Sequence, residues 1–160
     1  MKRFFKTAGM LVSLFAAVVT LNSCSSSDED KGPTNVITDG DGIKIDLEWT
    51  TGGTTNDALN EADLDLRIYK GGSQVLSSES SGSFERIEFD PDLYADGTYT
   101  VAIVLFENDE DTNYTATVNG ISVTDPFTFT STFAATEDYR EINAFTITKL
   151  GSKYTMEPID

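Results

Sequence analysis

Few residues in this chain can do chemistry. Cys24 is the only cysteine and there is no histidine, so the side chain most used for proton transfer and metal ligation near neutral pH is missing. A single thiol excludes an intramolecular disulfide and a Cys/His zinc site. What the chain has in quantity is carboxylate, 27 Asp and Glu against 11 Lys and Arg. Carboxylates can gather around calcium or work in pairs on glycosidic bonds. With so many, some pair always meets the spacing for the second chemistry, so that signal is empty and no enzymatic activity is expected.

Two acidic groups are candidates for Ca2+. Asp63 and Asp65 alternate along a predicted strand and so share a face, about 7 Å apart. Asp57 and Glu61 precede them and could add oxygens; the plainer alternative is an outer strand face on which Arg67 pairs with them. In "ENDEDTN", Asp109, Asp111 and Asn113 have the first spacings of an EF-hand loop. Tyr114 stands where that loop needs glycine and Gly120 where it needs a bidentate Glu, so the motif fails and an acidic loop remains. "DGDG" at 39–42 reads as a turn into the first strand. Gly52-Gly53 precedes no predicted helix, so it is not a phosphate cradle. Trp49 is in phase with Ile43, Ile45 and Leu47 and is expected in the core; Tyr69, Tyr94 and Tyr139 are the aromatics that could face a glycan.

The elements that must position these residues are strands. "GIKIDLEWT" alternates apolar and polar from Ile43 to Thr50, and "DLDLRIY" repeats the pattern. "QVLSSES" and "FERIEFD" are shorter strands around Ser81-Gly82. "GTYTVAIVLF" is apolar on both faces, which predicts a central strand covered on each side. In "NYTATVNGISVT", Asn119-Gly120 predicts a two-residue hairpin, and Gly151-Ser152 predicts another between "REINAFTITKL" and "KYTME". Phe127, Phe129 and Phe133 mark a further strand. No stretch after residue 24 has helical apolar spacing over three turns. The expectation is one all-β domain over 42–158, a β-sandwich of jelly-roll or immunoglobulin-like layout with about nine to ten strands.

The amino terminus has a basic start, the apolar run Met10–Leu21 and small residues before Cys24, the order of a secretory signal peptide over 1–23. The run is too short for a spanning helix, which takes about 20 residues. Leu21-Asn22-Ser23-Cys24 resembles the lipobox of bacterial lipoproteins. The resemblance implies that Cys24 is the lipid attachment point, carrying a covalent diacylglycerol and, after cleavage, an N-acyl chain such as palmitate; Asn22 is less usual at its position. Several acyl chains give stable attachment where one gives marginal binding. Ser25-Ser26-Ser27-Asp28-Glu29-Asp30 is similar to acidic tracts that send some lipoproteins to the outer face of the bacterial outer membrane. Residues 24–41 then read as an acylated, flexible acidic tether.

A second resemblance covers residues 42–118. "ADLDLRIYKGGSQVLSSES", "FERIEF", "ADGTYTVAIVLF" and "YTATV" resemble, in order, the segments of bacterial pre-peptidase C-terminal domains. That family implies a β-sandwich accessory module of secreted hydrolases, with calcium or matrix-binding roles in some members. This sequence departs from the family in showing no hydrolase segment and in adding the strands from Ile121 to Met156, which puts a peptidase-linked role in doubt.

Charge limits the partners. Loss of residues 1–23 would remove Lys2, Arg3 and Lys6 and no acid, leaving 27 acids, eight bases and a net charge of −19. Such a chain is not built to bind nucleic acid or anionic lipid through charge. Together these features lead to an outer-membrane, surface-exposed lipoprotein whose sandwich is a non-catalytic binding or accessory module for a protein or glycan, with Asp63, Asp65, Asp109 and Asp111 as the candidate calcium ligands. The structural alternative is a surface-fibre or envelope-assembly component that acts through strand exchange.

Overall fold

The computed structural model describes residues 35–135, 137 and 139–160. Cys24, the expected signal peptide over 1–23 and most of the stretch read as a tether lie outside the described residues. Ten strands and one short helix follow in order: β1 (Val36–Thr38), β2 (Ile43–Thr50), α1 (Thr55–Glu61), β3 (Ala62–Lys70), β4 (Ser73–Ser78), β5 (Phe84–Phe89), β6 (Gly97–Asn108), β7 (Thr112–Gly120), β8 (Phe127–Phe133), β9 (Arg140–Leu150) and β10 (Lys153–Pro158). They form an all-β sandwich of two antiparallel sheets. One has six strands in the order β1-β10-β9-β6-β3-β4, the other four in the order β5-β2-β7-β8.

Alternation in the sequence becomes inside and outside in the sandwich. Ile43, Ile45, Leu47 and Trp49 of β2 all enter the core, as do Leu64, Leu66 and Ile68 of β3. Ring contacts tie the sheets together: Phe89 of β5 meets Tyr99 of β6 edge to face at 4.8 Å, and Phe127 of β8 meets Phe145 of β9 at 5.2 Å. Trp49 is 6% exposed and its Nε1 donates to the Ala62 carbonyl at 3.3 Å, so the core assignment holds.

Several local expectations resolve differently. Asn119-Gly120 makes no hairpin: both residues continue β7, Asn119 opposite Lys44 and Gly120 opposite Ile43 of β2. The glycine answers a steric need, because a Cβ there would stand 2.5 Å from Asp39 Oδ2. The two-residue turns are Gly151-Ser152, as expected, and Gly71-Gly72, whose φ values of 57° and 81° suit the turn that closes β3 onto β4. The Gly-rich stretch before β3 contains a helix, α1, started by a capping box in which Thr54 and Asp57 bond each other's backbone N–H. The sheet begins earlier than residue 42, since β1, within the stretch read as tether, pairs with β10.

β6 is central, between β9 and β3. Its row Tyr99, Val101, Ile103 and Leu105 fills the core, and on the opposite face Ala102 and Val104 are fully buried too. The cover on that second face comes from side chains of the flanking strands.

Candidate functional site

The outward residues of β3 are Asp63, Asp65, Arg67 and Tyr69. Strand register sets Arg67 opposite Ala102 and Asp65 opposite Val104 of β6, and Val104 is opposite Glu141 of β9. Arg67 is the hub of this face. Its Nε donates to Glu79 at 3.2 Å, Nη2 to Asp65 at 3.3 Å, and Nη1 to Glu141 and to the Tyr139 hydroxyl, each at 3.4 Å. To join β3 to β9 the side chain must cross β6, which explains how small residues there are sealed from water. The guanidinium lies 5.9 Å from the centre of the Phe106 ring, and Phe106 meets Tyr139 edge to face at 5.4 Å. Both rings remain open to solvent, Phe106 43% and Tyr139 55% exposed.

Among the described residues, Arg67 is the one cation paired with these carboxylates. Burial, then the negative charges of Glu79 and Asp63, raise the Asp65 carboxyl to a pKa of about 6, and Arg67 opposes them in part. Asp63 is raised by burial and by Glu107 and Glu85. Burial works against the charge on Arg67, but the hydroxyls of Tyr139 and Tyr69 and the charge of Glu79 prevail and hold its pKa up. Tyr69 is raised by burial and by Glu141.

Two open depressions flank Arg67. One, of about 240 Å³, is lined by Asp63, Asp65, Glu79, Ser80, Ser81 and Phe106. The other, of about 290 Å³, is lined by Tyr69, Gly72, Thr100, Glu141 and Asn143. The turn that carries Glu79 to Ser81 is fixed from beneath by Glu85, a buried carboxylate that accepts from the Ser80 N–H at 2.8 Å, from Ser80 Oγ at 2.6 Å and from Ser78 Oγ. The signal for Glu85 in the sequence is its inward phase with Ile87 and Phe89, which sets a carboxylate among core positions of β5.

The four candidate calcium ligands do not converge. Asp65 is committed to Arg67, and Asp111 Oδ1 accepts from the Ala135 N–H at 2.7 Å. The Asp109 N–H donates to the Glu61 carbonyl, and Asn108 pins the loop by donating to the carbonyls of Glu110 and Ala134. Among the described residues no three carboxylates stand close enough to share an ion. Asp57 is spent on the α1 cap, which lowers its pKa through the Thr54 hydrogen bonds. Asp39, from "DGDG", is a buried cap: burial works to raise its pKa, but the backbone N–H groups of Asp41, Ser122 and Val123 outweigh it and the value falls. Of the other tyrosines, Tyr94 packs on Phe89 at 4.7 Å and Tyr69 is half-buried.

No protein-family model, curated protein or solved structure matches this chain. Chemically, the face offers a fixed pair of exposed rings beside acceptor-rich hollows. Arg67 pairs with Asp65, Glu79 and Glu141 and offsets part of their charge.

Proposed function

We propose that this chain is a bacterial surface lipoprotein, anchored through Cys24, whose sandwich is a non-catalytic module that binds neutral glycans on the outer face of its six-stranded sheet. The observation that carries the ligand class is the Phe106 and Tyr139 pair, exposed yet held by the hydrogen bond from Arg67 to the Tyr139 hydroxyl. Exposed apolar rings weaken folding slightly and suit the apolar face of a sugar ring. Glu79, Ser80, Glu141 and Asn143 supply acceptors for sugar hydroxyls, and the surplus negative charge disfavours acidic glycans.

Affinity electrophoresis in gels containing mannan, xylan or β-1,3-glucan tests the reading. Retardation by at least one of them, abolished in Phe106→Ala and Tyr139→Ala proteins that keep the parental melting temperature, is expected; free migration in all three would sink it. The anchor has its own test. Cys24→Ala should move the protein from the membrane to the soluble fraction, and continued acylation of that variant would refute the attachment point.

A further inference from the structure

Three of the four sheet edges are guarded. β1 has three residues. β4 pairs with β3 through a register shift at Ile68/Tyr69 and is braced by β5, whose Arg86 N–H donates to Ser78 Oγ at 3.3 Å. β5 carries Glu85, Arg86 and Glu88 within six residues. β8 has none of these devices. It follows β7 without a shift, from Phe127 opposite Val118 to Phe133 opposite Thr112, and contains no charge, proline or glycine. Among the described residues no backbone partner lies on its other side. An edge of this kind presents a row of unpaired N–H and C=O groups, which proteins otherwise blunt.

Two features select the occupant. In a chain of net charge −16, an uncharged edge is where two copies meet with least repulsion. The strand reads Phe-Thr-Phe-Thr-Ser-Thr-Phe, nearly the same in both directions about Thr130. A twofold interface requires such self-complementarity, because residue i must meet j while j meets i. Antiparallel pairing about Thr130 sets Phe127 against Phe133 and Thr128 against Thr132. On the exposed face this makes a ladder of threonines, and such cross-strand pairs stabilise a sheet.

We propose that β8 is a self-association edge, along which two copies of this chain pair antiparallel about Thr130 and join their four-stranded sheets into one. β8 belongs to the four-stranded sheet and Arg67 to the six-stranded one, so pairing along β8 is independent of a ligand on the Arg67 face. Sedimentation velocity of the full-length chain in detergent, over a concentration series, should show a monomer–dimer equilibrium. Thr130→Lys, at an exposed position, sets like charges face to face and should raise the dissociation constant about tenfold or more without changing the melting temperature. In a Cys24→Ser, Thr130→Cys protein the two thiols of a dimer would sit on directly opposed residues, whose Cα atoms are about 4.5 to 5.5 Å apart in an antiparallel pair, and a disulfide dimer should form on mild oxidation. A wild-type monomer at every concentration, a dimer indifferent to Thr130→Lys, or open-ended polymers would each overturn the proposal.

Discussion

Gly120 lies against Asp39 so closely that a Cβ on the glycine would stand 2.5 Å from Oδ2 and 2.9 Å from the Val123 carbonyl oxygen. The contact lets the Asp39 carboxylate receive the Ser122 and Val123 N–H groups and close the connection from β7 to β8. Gly120→Ala should therefore destabilise the domain by about 1–3 kcal/mol through overpacking, and Asp39→Ala by a similar amount through buried N–H groups left without an acceptor. Chemical denaturation of the two variants measures both. Because the Asp39 pKa is lowered on folding, its stabilisation is complete above the ordinary value of 3.8 and is lost as pH falls through the lower folded value.

Asp65 has the opposite sign. A carboxyl raised to about 6 binds its proton more tightly in the folded protein than in the unfolded chain, so ionised Asp65 opposes folding above pH 6. Asp65→Asn should raise the melting temperature by a few degrees at pH 8, with the gain shrinking below pH 6 and absent below the ordinary carboxylate range. Differential scanning calorimetry across pH reads this; a gain that does not depend on pH would rule out titration of Asp65 as its source.

Arg67→Leu removes the cation shared by Asp65, Glu79 and Glu141. Leaving a buried carboxylate unpaired should cost about 3–5 kcal/mol at pH 8 and less at pH 5, where Asp65 can take up a proton. Adding Asp65→Asn to Arg67→Leu should restore part of the loss, a coupling that a double-mutant cycle in urea measures.

Calcium at millimolar concentration should leave the melting temperature unchanged within a degree, since Asp63, Asp65, Asp109 and Asp111 do not converge. A rise of several degrees that Asp109→Asn removes would show that the loop from β6 to β7 rearranges around the ion.

Where one face of a strand is buried, the sequence was readable. Period-two alternation located β2, β3 and β6, and Trp49 followed its phase into the core, because burial on one face leaves a binary record. Asn119-Gly120 misleads because a glycine needed for turn geometry and one needed for close approach look identical in one dimension. The helix α1 carried its Thr54-x-x-Asp57 cap in plain view, but with Ala58 as its one buried residue it is too short for an apolar period to register.

The candidate site divides the same way. By itself the sequence determined an all-β chain, one thiol at a lipobox-like position, and Asp63, Asp65 and Arg67 on a common strand face, all properties of neighbours along the chain. Only the tertiary structure decided that Arg67 would gather Glu79, Tyr139 and Glu141 from 12, 72 and 74 residues away, that Glu85 and Asp39 would be buried as caps, and that β8 would be left at an edge. The physical reason is that strand order is set by which faces bury together across the two sheets, and alternation records that a residue faces inward without recording what it will face.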